Sequence, residues 1–382
     1  MKILYGVSGE GLGHSSRAKE IILHLRKKGH KVLIMTYGQA YPVLKSLAET
    51  IKIEGIHLHF EGDSLSLKKT INHGTKNMLT NLKNLNSIKK EINRFKPDLC
   101  ITDYEPIVPI MRYWYKLPLI SIDNQHRLTH VSLKIPPKYR KDFLLAKHAT
   151  NLCVSRADAF IILSFAKARS LKKNVYIVSP ILRKEIQKIK TTKSDNILVY
   201  QTKPNQKLIE ILEKIPEKFI VYGYNTQKHE GNLHFKKTSK DFLKDLASCK
   251  AVISTAGFTL ISEANYLKKP FFALPLKGQF EQTLNALFLK KANYGNYSDS
   301  PNEQQIRKFL SSIPFYEKNL QKHKTNPREA FKVIDKVLSK LQYSKKILNN
   351  KVKLPTPRGL PFGQILASLG VGHLTTLQNR TA

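Results

Sequence analysis

An α/β protein of two Rossmann-like, doubly wound units is what this 382-residue sequence predicts, on three observations. At the N-terminus a short apolar run, Lys2 to Val7, passes through a glycine-rich turn into an amphipathic helix. In the second half Ala251 to Ser254 passes through Thr255, Ala256 and Gly257 into another helix, and Pro270 then starts a further apolar run. Strand, tight turn and helix in that order open a Rossmann-like sheet, and the order occurs once in each half. The length is ample for two units, each with its own core.

The first unit is assigned to residues 1–182. Its opening turn runs from Gly6 to Arg17 and contains Gly9, Gly11, Gly13 and His14. A helix is expected from Ser15 to about Lys28, with Ala18, Ile21, Ile22 and Leu25 on one face, then a strand over Val32 to Thr36. The glycines do not follow G-x-G-x-x-G, and no acidic residue ends the second strand, which argues against NAD. Ile56 to Phe60 reads as a strand and Lys68 to Phe95 as a long polar helical region. Pro97 to Asp103 is a buried strand, Ile107 to Tyr115 a helix, and Pro118 to Ile122 the next strand. Ala159 to Ser164 and Val175 to Val178 close the unit. Ligands of doubly wound sheets gather at the carboxyl ends of strands. Asp103, Glu105, Asp123 and His126 lie just past such ends and are candidate bases or substrate contacts, although each suits a helix cap or turn equally well. His14 follows alternating glycines and enters a helix, whose positive end disfavours imidazolium and leaves a ring able to accept a proton.

Residues 183–195, rich in Lys and Thr, read as a linker, and residues 196–342 as the second unit. Asn196 to Tyr200 is its first strand. It leads into Gln201, Thr202, Lys203, Pro204 and Asn205, a turn without glycine in which Lys203 offers a point charge. Phe219 to Gly223, Leu233 to Phe235 and the helix Phe242 to Cys249 precede the central turn. There, small residues leave backbone N–H groups uncovered at a helix start, an arrangement suited to a phosphate. Glu263, about two turns further on, lies where a carboxylate reaches ribose hydroxyls. An ordinary βαβ crossover explains the same residues. Helices near Glu303 to Leu310 and Arg328 to Leu341 end the unit. Residues 343–382 form a basic segment and a tail; from Pro355 onward the chain has no lysine, and a disordered extension is expected.

Composition narrows the functional classes. Lys+Arg 65 against Asp+Glu 28 gives a net charge of +37, a field that attracts nucleic acid, anionic membranes or phosphorylated substrates. The lysines are dispersed and no zinc-finger, RNA-recognition or KH signature is present, so nucleic acid is not the expected partner. Cys100, Cys153 and Cys249 lie in or beside apolar runs with no metal-ligand spacing, and reduced thiols in a cytoplasmic protein are expected. No apolar run approaches the ~18 residues of a membrane span.

The block from Ser254 to Asn285, with Gln279, Glu281 and Gln282, resembles the nucleotide-sugar site of GT-B glycosyltransferases. It is most similar to the family containing the N-acetylglucosaminyl transferase that completes the lipid-linked peptidoglycan precursor. The loop Gly11-Leu12-Gly13-His14 resembles the acceptor-side loop of that family, and the runs at Thr102 to Pro106 and Ile122 to His126 resemble a less characterised branch of it. The resemblance implies two units facing a cleft, with the last helix crossing back to the first. It implies a donor, UDP-sugar in kind, held by Thr255, Ala256, Gly257, Phe258, Glu263 and Gln282 with help from Lys203. A Gln stands in the family where this chain has Glu281. The acceptor, a glycan or a lipid-linked one reached from an anionic membrane surface, falls near Gly11, Gly13, His14 and His126. The base is His14, Asp103, Glu105 or Asp123, with inversion at the sugar and neither metal nor cofactor; no Asp-x-Asp is present. A sugar-nucleotide epimerase on the same fold, and a non-catalytic polyanion binder, are the alternatives.

Overall fold

The structure is a computed structural model that describes residues 1–55, 57, 59–61, 64–65, 67–237 and 241–351. The strands of the first half are β1 (Lys2–Val7), β2 (Lys31–Thr36), β3 (Glu49–Lys52), β4 (Phe60–Glu61), β5 (Ser64–Leu65), β6 (Leu99–Asp103), β7 (Leu119–Asp123), β8 (Ala159–Leu163) and β9 (Val175–Val178). β4 and β5 pair only with each other, while the remaining seven form one parallel sheet in the order β3-β2-β1-β6-β7-β8-β9. The helices between them are α1 (Leu12–Lys27), α2 (Ala40–Leu44), α3 (Leu67–Lys83), α4 (Leu85–Phe95), α5 (Ile107–Tyr115), α6 (Arg127–His130) and α7 (Arg140–Cys153). A short helix, α8 (Lys184–Lys188), lies within the stretch read as linker.

The second half repeats the plan. Its strands are β10 (Asn196–Tyr200), β11 (Lys218–Tyr222), β12 (Lys228–Glu230), β13 (Leu233–Phe235), β14 (Ala251–Thr255), β15 (Phe271–Leu274) and β16 (Gly295–Tyr297). They form a sheet in the order β12-β13-β11-β10-β14-β15-β16, parallel except for the edge pair β12 and β13. Its helices are α9 (Gln206–Glu213), α10 (Asp241–Ser248), α11 (Phe258–Tyr266), α12 (Phe280–Lys291), α13 (Glu303–Ser311), α14 (Ile313–Lys322) and α15 (Glu329–Lys351).

Helices on both faces explain why the central strands are continuous apolar runs rather than alternating ones. Every residue of β6, β7, β8 and β14 is buried. One apolar core spans both halves, joining Ile3, Ile101 and Ile161 of the first sheet to Leu198, Val252 and Phe271 of the second through Phe258, Ile261 and Ile334. α15 packs against β8 and β9, and its Asp335 accepts from His24 of α1 at 2.7 Å while Glu329 accepts from Ser179 Oγ at 2.6 Å. The last helix thus ties the second half to the first, as the family resemblance implies.

Three differences from the sequence reading have physical causes. The edge strand is Glu49–Lys52 instead of the more apolar Ile56 to Phe60 run. An edge strand pairs on one side only, so half-exposed Glu49 and Lys52 suffice there, whereas His57 and His59 lie outside any strand and Ile56 and Leu58 lie outside the described residues. α1 begins at Leu12 rather than Ser15, which brings Gly13 and His14 into its first turn. β16 and α14 are additional elements whose short apolar patterns are masked by flanking polar residues. The tail beyond residue 351 lies outside the described residues. Cys100 and Cys249 are buried, Cys153 is half-buried, and all three are free thiols. Among the described residues no helix is long and apolar enough to cross a membrane.

Candidate active site

In the first sheet the strand order reverses at β1, which has β2 on one side and β6 on the other. The turns leaving β1 and β6 therefore open a crevice at their carboxyl ends. Gly11 takes a φ of 72°, a left-handed conformation that favours glycine, and redirects the chain into α1. His14, in the first turn, places Nδ1 2.7 Å from Asp103 Oδ1 at the end of β6. Arg17, one turn further along α1 on the same face, donates from Nε to Asp103 Oδ2 at 2.6 Å and from Nη2 to Oδ1 at 2.5 Å. Its Nη1 donates to Asn124 Oδ1 at 2.5 Å. His14 Nδ1 also lies 2.8 Å from Arg17 Nη2. A bare Nδ1 would aim its lone pair at a carboxylate oxygen, so we assign the proton to Nδ1, donating to Asp103. In the neutral ring that leaves the lone pair on Nε2, where the Gln125 amide donates at 3.3 Å. Burial would raise the Asp103 carboxyl, but Arg17 and His14 hold it below the usual carboxylate range. Tyr104, at a φ of 53°, stacks its ring 6.5 Å from that of His14.

The other first-half candidates are consumed locally. Glu105 accepts the backbone N–H groups of Ile107 at 2.7 Å and Val108 at 2.9 Å, capping α5, and burial pushes its carboxyl up to about 7. Asp123 accepts from Ser121 Oγ at 2.8 Å and lies 2.6 Å from His126 Nδ1. His126 Nε2 faces the Val154 carbonyl at 3.1 Å, so both ring nitrogens meet acceptors and the ring is held as imidazolium. Burial alone would depress His126, but Asp123 raises it above the ordinary histidine value. Asp123 and His126 spend their polar atoms on each other, on Ser121 and on the Val154 carbonyl. Their place is behind the crevice.

In the second sheet the order reverses at β10, between β11 and β14. α11 starts at Phe258 with Gly257 as its N-cap, no side chain caps it, and a Cβ at Gly257 would meet nothing within 4 Å. The Gly257 N–H donates to the Thr255 carbonyl at 2.8 Å, so the uncapped N–H groups of this helix start begin at Phe258. Thr255 Oγ1 is 2.9 Å from Thr202 Oγ1, so hydroxyls from the ends of β10 and β14 meet at the turn that lacks glycine. Lys203, half-buried, lies beside Thr202 in that turn. Gln282 Oε1 accepts from Ala256 N at 3.2 Å and Leu276 N at 3.1 Å, fixing the turn against the loop before α12. Glu263 is buried one and a half turns into α11 and takes a bidentate pair from Arg183, at 2.6 and 2.5 Å. Burial keeps its carboxyl above the ordinary range even so. Each of its oxygens retains one lone pair.

The two sites meet. A Cβ on Gly13 would lie 2.9 Å from Thr259 Oγ1, so any other residue there would have to displace that hydroxyl of the first turn of α11. Glu281 accepts from Asn124 Nδ2 at 2.7 Å and Gln125 Nε2 at 2.9 Å. Arg127 donates to Asn285 Oδ1, and Asn285 Nδ2 holds the Ala256 carbonyl at 2.8 Å. Arg17, Asn124, Gln125, Arg127 and Arg183 are the functional-site residues that the sequence reading did not assign. Only Arg17 carried a local signal, three residues after His14 on a helix.

Two largely parallel sheets covered by helices, their reversal points facing one crevice, match the GT-B class of glycosyltransferase folds. Residues 1–314 match glycosyl transferase family 1, and the chain belongs to that family. An uncharacterized glycosyltransferase of Methanosarcina acetivorans is 23% identical over 339 residues, spanning 79% of this chain and 87% of that protein. Phytolacca americana UGT2, solved with UDP-2fluoro-glucose and pterostilbene, superposes with a TM-score of 0.65 at 14% identity over 89% of this chain and 98% of its own. Acinetobacter baumannii MurG superposes with a TM-score of 0.58 at 15% identity over 88% and 99%. The protein is a glycosyltransferase, moving a sugar to an acceptor.

Proposed function

We propose that the donor is a nucleoside diphosphate sugar, UDP-linked, and that the sugar passes with inversion and without a metal to an acceptor hydroxyl. The observation that carries this is the His14–Asp103 pair set directly against the uncovered first turn of α11. The diphosphate lies on the N–H groups at Phe258 and Thr259, beside Thr202, Thr255 and Lys203, and the ribose uses the remaining lone pairs of Glu263. Glu281 and Gln282 face the sugar. The acceptor enters along Gly11, Gly13 and His14, displacing the Gln125 amide from Nε2. Its hydroxyl gives its proton to Nε2 while its oxygen bonds the anomeric carbon. The bond from that carbon to the phosphate oxygen breaks, and the electron pair leaves on the diphosphate. Asp103 holds the imidazolium that forms, and helix N–H groups and nearby cations stabilise the leaving charge.

Thermal-shift measurements with UDP, GDP, dTDP, ADP and their sugars at fixed salt test the donor. A ligand at 100 times its Kd adds about 2.7 kcal/mol, several degrees for units of this size. UDP compounds alone are expected to shift the melting temperature, and Glu263→Ala to remove that shift. Equal shifts with all four bases would rule out a UDP-specific site, and no shift with any would remove the donor assignment.

The outer face of α7 supports an acceptor at an anionic lipid surface. Leu144 and Leu145 are 54% and 46% exposed there, beside exposed Lys141, with Lys138 and Arg140 just before. Such a face suits lipid headgroups above an apolar layer. The protein is expected to pellet with anionic vesicles and not with neutral ones; equal recovery with both would refute the lipid-surface reading.

A further inference from the structure

Arg127 is a fully buried cation with no carboxylate in ion-pair contact among the described residues; Glu281 and Asp123 favour its charge only from a distance. Its Nε donates to the Asn124 carbonyl at 2.8 Å and its Nη2 to Asn285 Oδ1, while Nη1 is buried with no partner. Among the described residues no carboxylate lies within ion-pairing distance of it; Asp123 is taken by His126, and Glu281 by Asn124 and Gln125. Three rings surround the guanidinium instead, Phe258 at 5.1 Å, Phe288 at 5.3 Å and Phe165 at 6.0 Å. Ring faces attract a cation but do not replace an anion in a dry site.

Arg17 gives the comparison within the same molecule. It is equally enclosed, but it holds both oxygens of Asp103, which raises its pKa against the effect of burial. For Arg127 burial wins, and its pKa is pushed down to about 10. A protein that retains a buried cation with no anion in contact keeps a site that gains when an anion arrives nearby. The position says which anion. Arg127 comes from the first half, yet its Nη2 grips the Asn285 side chain that fixes the Ala256 carbonyl, and Phe258 against its face is the first residue of α11. The guanidinium therefore sits directly behind the start of α11, whose uncapped N–H groups already favour negative charge.

We propose that Arg127 supplies the fixed positive charge of the donor site, and that the anion it lacks nearby is the diphosphate of the nucleotide sugar. This rests on the donor reading above. Arg127 acts through Asn285 and through its field, so it is a positioning residue; being buried, its effect is little screened by salt. It also makes the donor site depend on both halves, since the charge behind the phosphate turn belongs to the acceptor half.

The test compares UDP with uridine by calorimetry in the wild type, Arg127→Met and Arg127→Lys. The wild type is expected to prefer UDP strongly. In Arg127→Met that preference should fall at least tenfold with uridine affinity retained, and Arg127→Lys should restore part of it. Should Arg127→Met fail to fold, Arg127→Gln, which keeps a donor for Asn285 without the charge, reads the same ratio. If UDP and uridine weaken equally, or the preference survives intact, Arg127 is only a strut between the halves and the proposal is wrong. If the wild type shows no preference for UDP over uridine, the donor reading falls and this inference falls with it.

Discussion

Replacing His14 with Ala lowers the turnover number for sugar transfer by about 10²–10⁴-fold, the range a positioned general base contributes, and leaves the thermal shift by UDP unchanged. The separation follows from where the groups lie. His14 belongs to α1 of the first half, and its links to the second run through Gln125 and the neighbouring Gly13, whereas the proposed phosphate contacts belong to the turns after β10 and β14. Asp103→Asn tests the tautomer. An amide at this position can still accept from Nδ1, but it can also present its NH₂ to the ring, which would move the proton to Nε2 and leave nothing to receive the acceptor's proton. The Asn variant should therefore lose activity nearly as far as the Ala variant, and the double variant should be little worse than either single one. If His14→Ala keeps more than a tenth of the wild-type rate, the base lies elsewhere and the pair is structural.

Much of this was legible because the two turns that carry the chemistry are built from local sequence. Gly11, Gly13 and His14 stand at the start of an amphipathic helix, and Gly257 stands between an apolar run and another helix, so strand, turn and helix could be placed without knowing what packs on them. The sorting of the four carboxylate and histidine candidates was not legible from position alone, since Asp103, Glu105, Asp123 and His126 all follow strand ends. What separates them is the distance in sequence to their partners. Glu105 finds N–H groups two and three residues on, and Asp123 finds His126 three residues on. A local partner within a turn makes a cap or a closed pair. Asp103 has no such partner, and its carboxylate is met by Arg17, 86 residues away. The contacts that join the halves are longer still: Asn124 and Glu281 are 157 residues apart. Chain order holds no trace of such pairs, because they depend on how two separately folded sheets come together.

Glu281 shows how a substitution in a recognisable block acquires a second task. At its place on α12 a glutamine would present both a donor and an acceptor to a sugar; the carboxylate accepts only. Here both of its oxygens take amide N–H groups from the first half, one of them from the same Gln125 that covers His14 Nε2. On the proposed reading, a sugar hydroxyl competing for Glu281 would loosen the group that covers the base, so donor binding and exposure of the base would be coupled through one amide.

The largest stability effect is expected at Asp123, behind the crevice. Asp123→Ala leaves His126 buried as a charge without its partner and should cost about 3–5 kcal/mol, whereas Asp123→Ala combined with His126→Leu should recover most of that loss. The sign of the pH dependence follows from the two shifts. Asp123 is held well below the usual carboxylate range by His126, against the opposing effect of burial, so its contribution is present above the unfolded carboxylate value and is lost as pH falls through the folded one. His126 is raised, so its contribution is complete below the ordinary histidine value and is lost as pH rises through the folded one. The neighbouring His130, pushed down to about 4 by burial and by the charge of His126, stays neutral across this window. The advantage of the wild type over the double variant in urea melts should accordingly be greatest near pH 5–6, between the reference carboxylate and histidine values, and shrink toward pH 9. A single Asp123→Ala variant within about 1 kcal/mol of the wild type at pH 6 would mean that His126 is neutral in the folded protein. The charged pair would then give no support to the turn from which Asn124, Gln125 and Arg127 reach the other half.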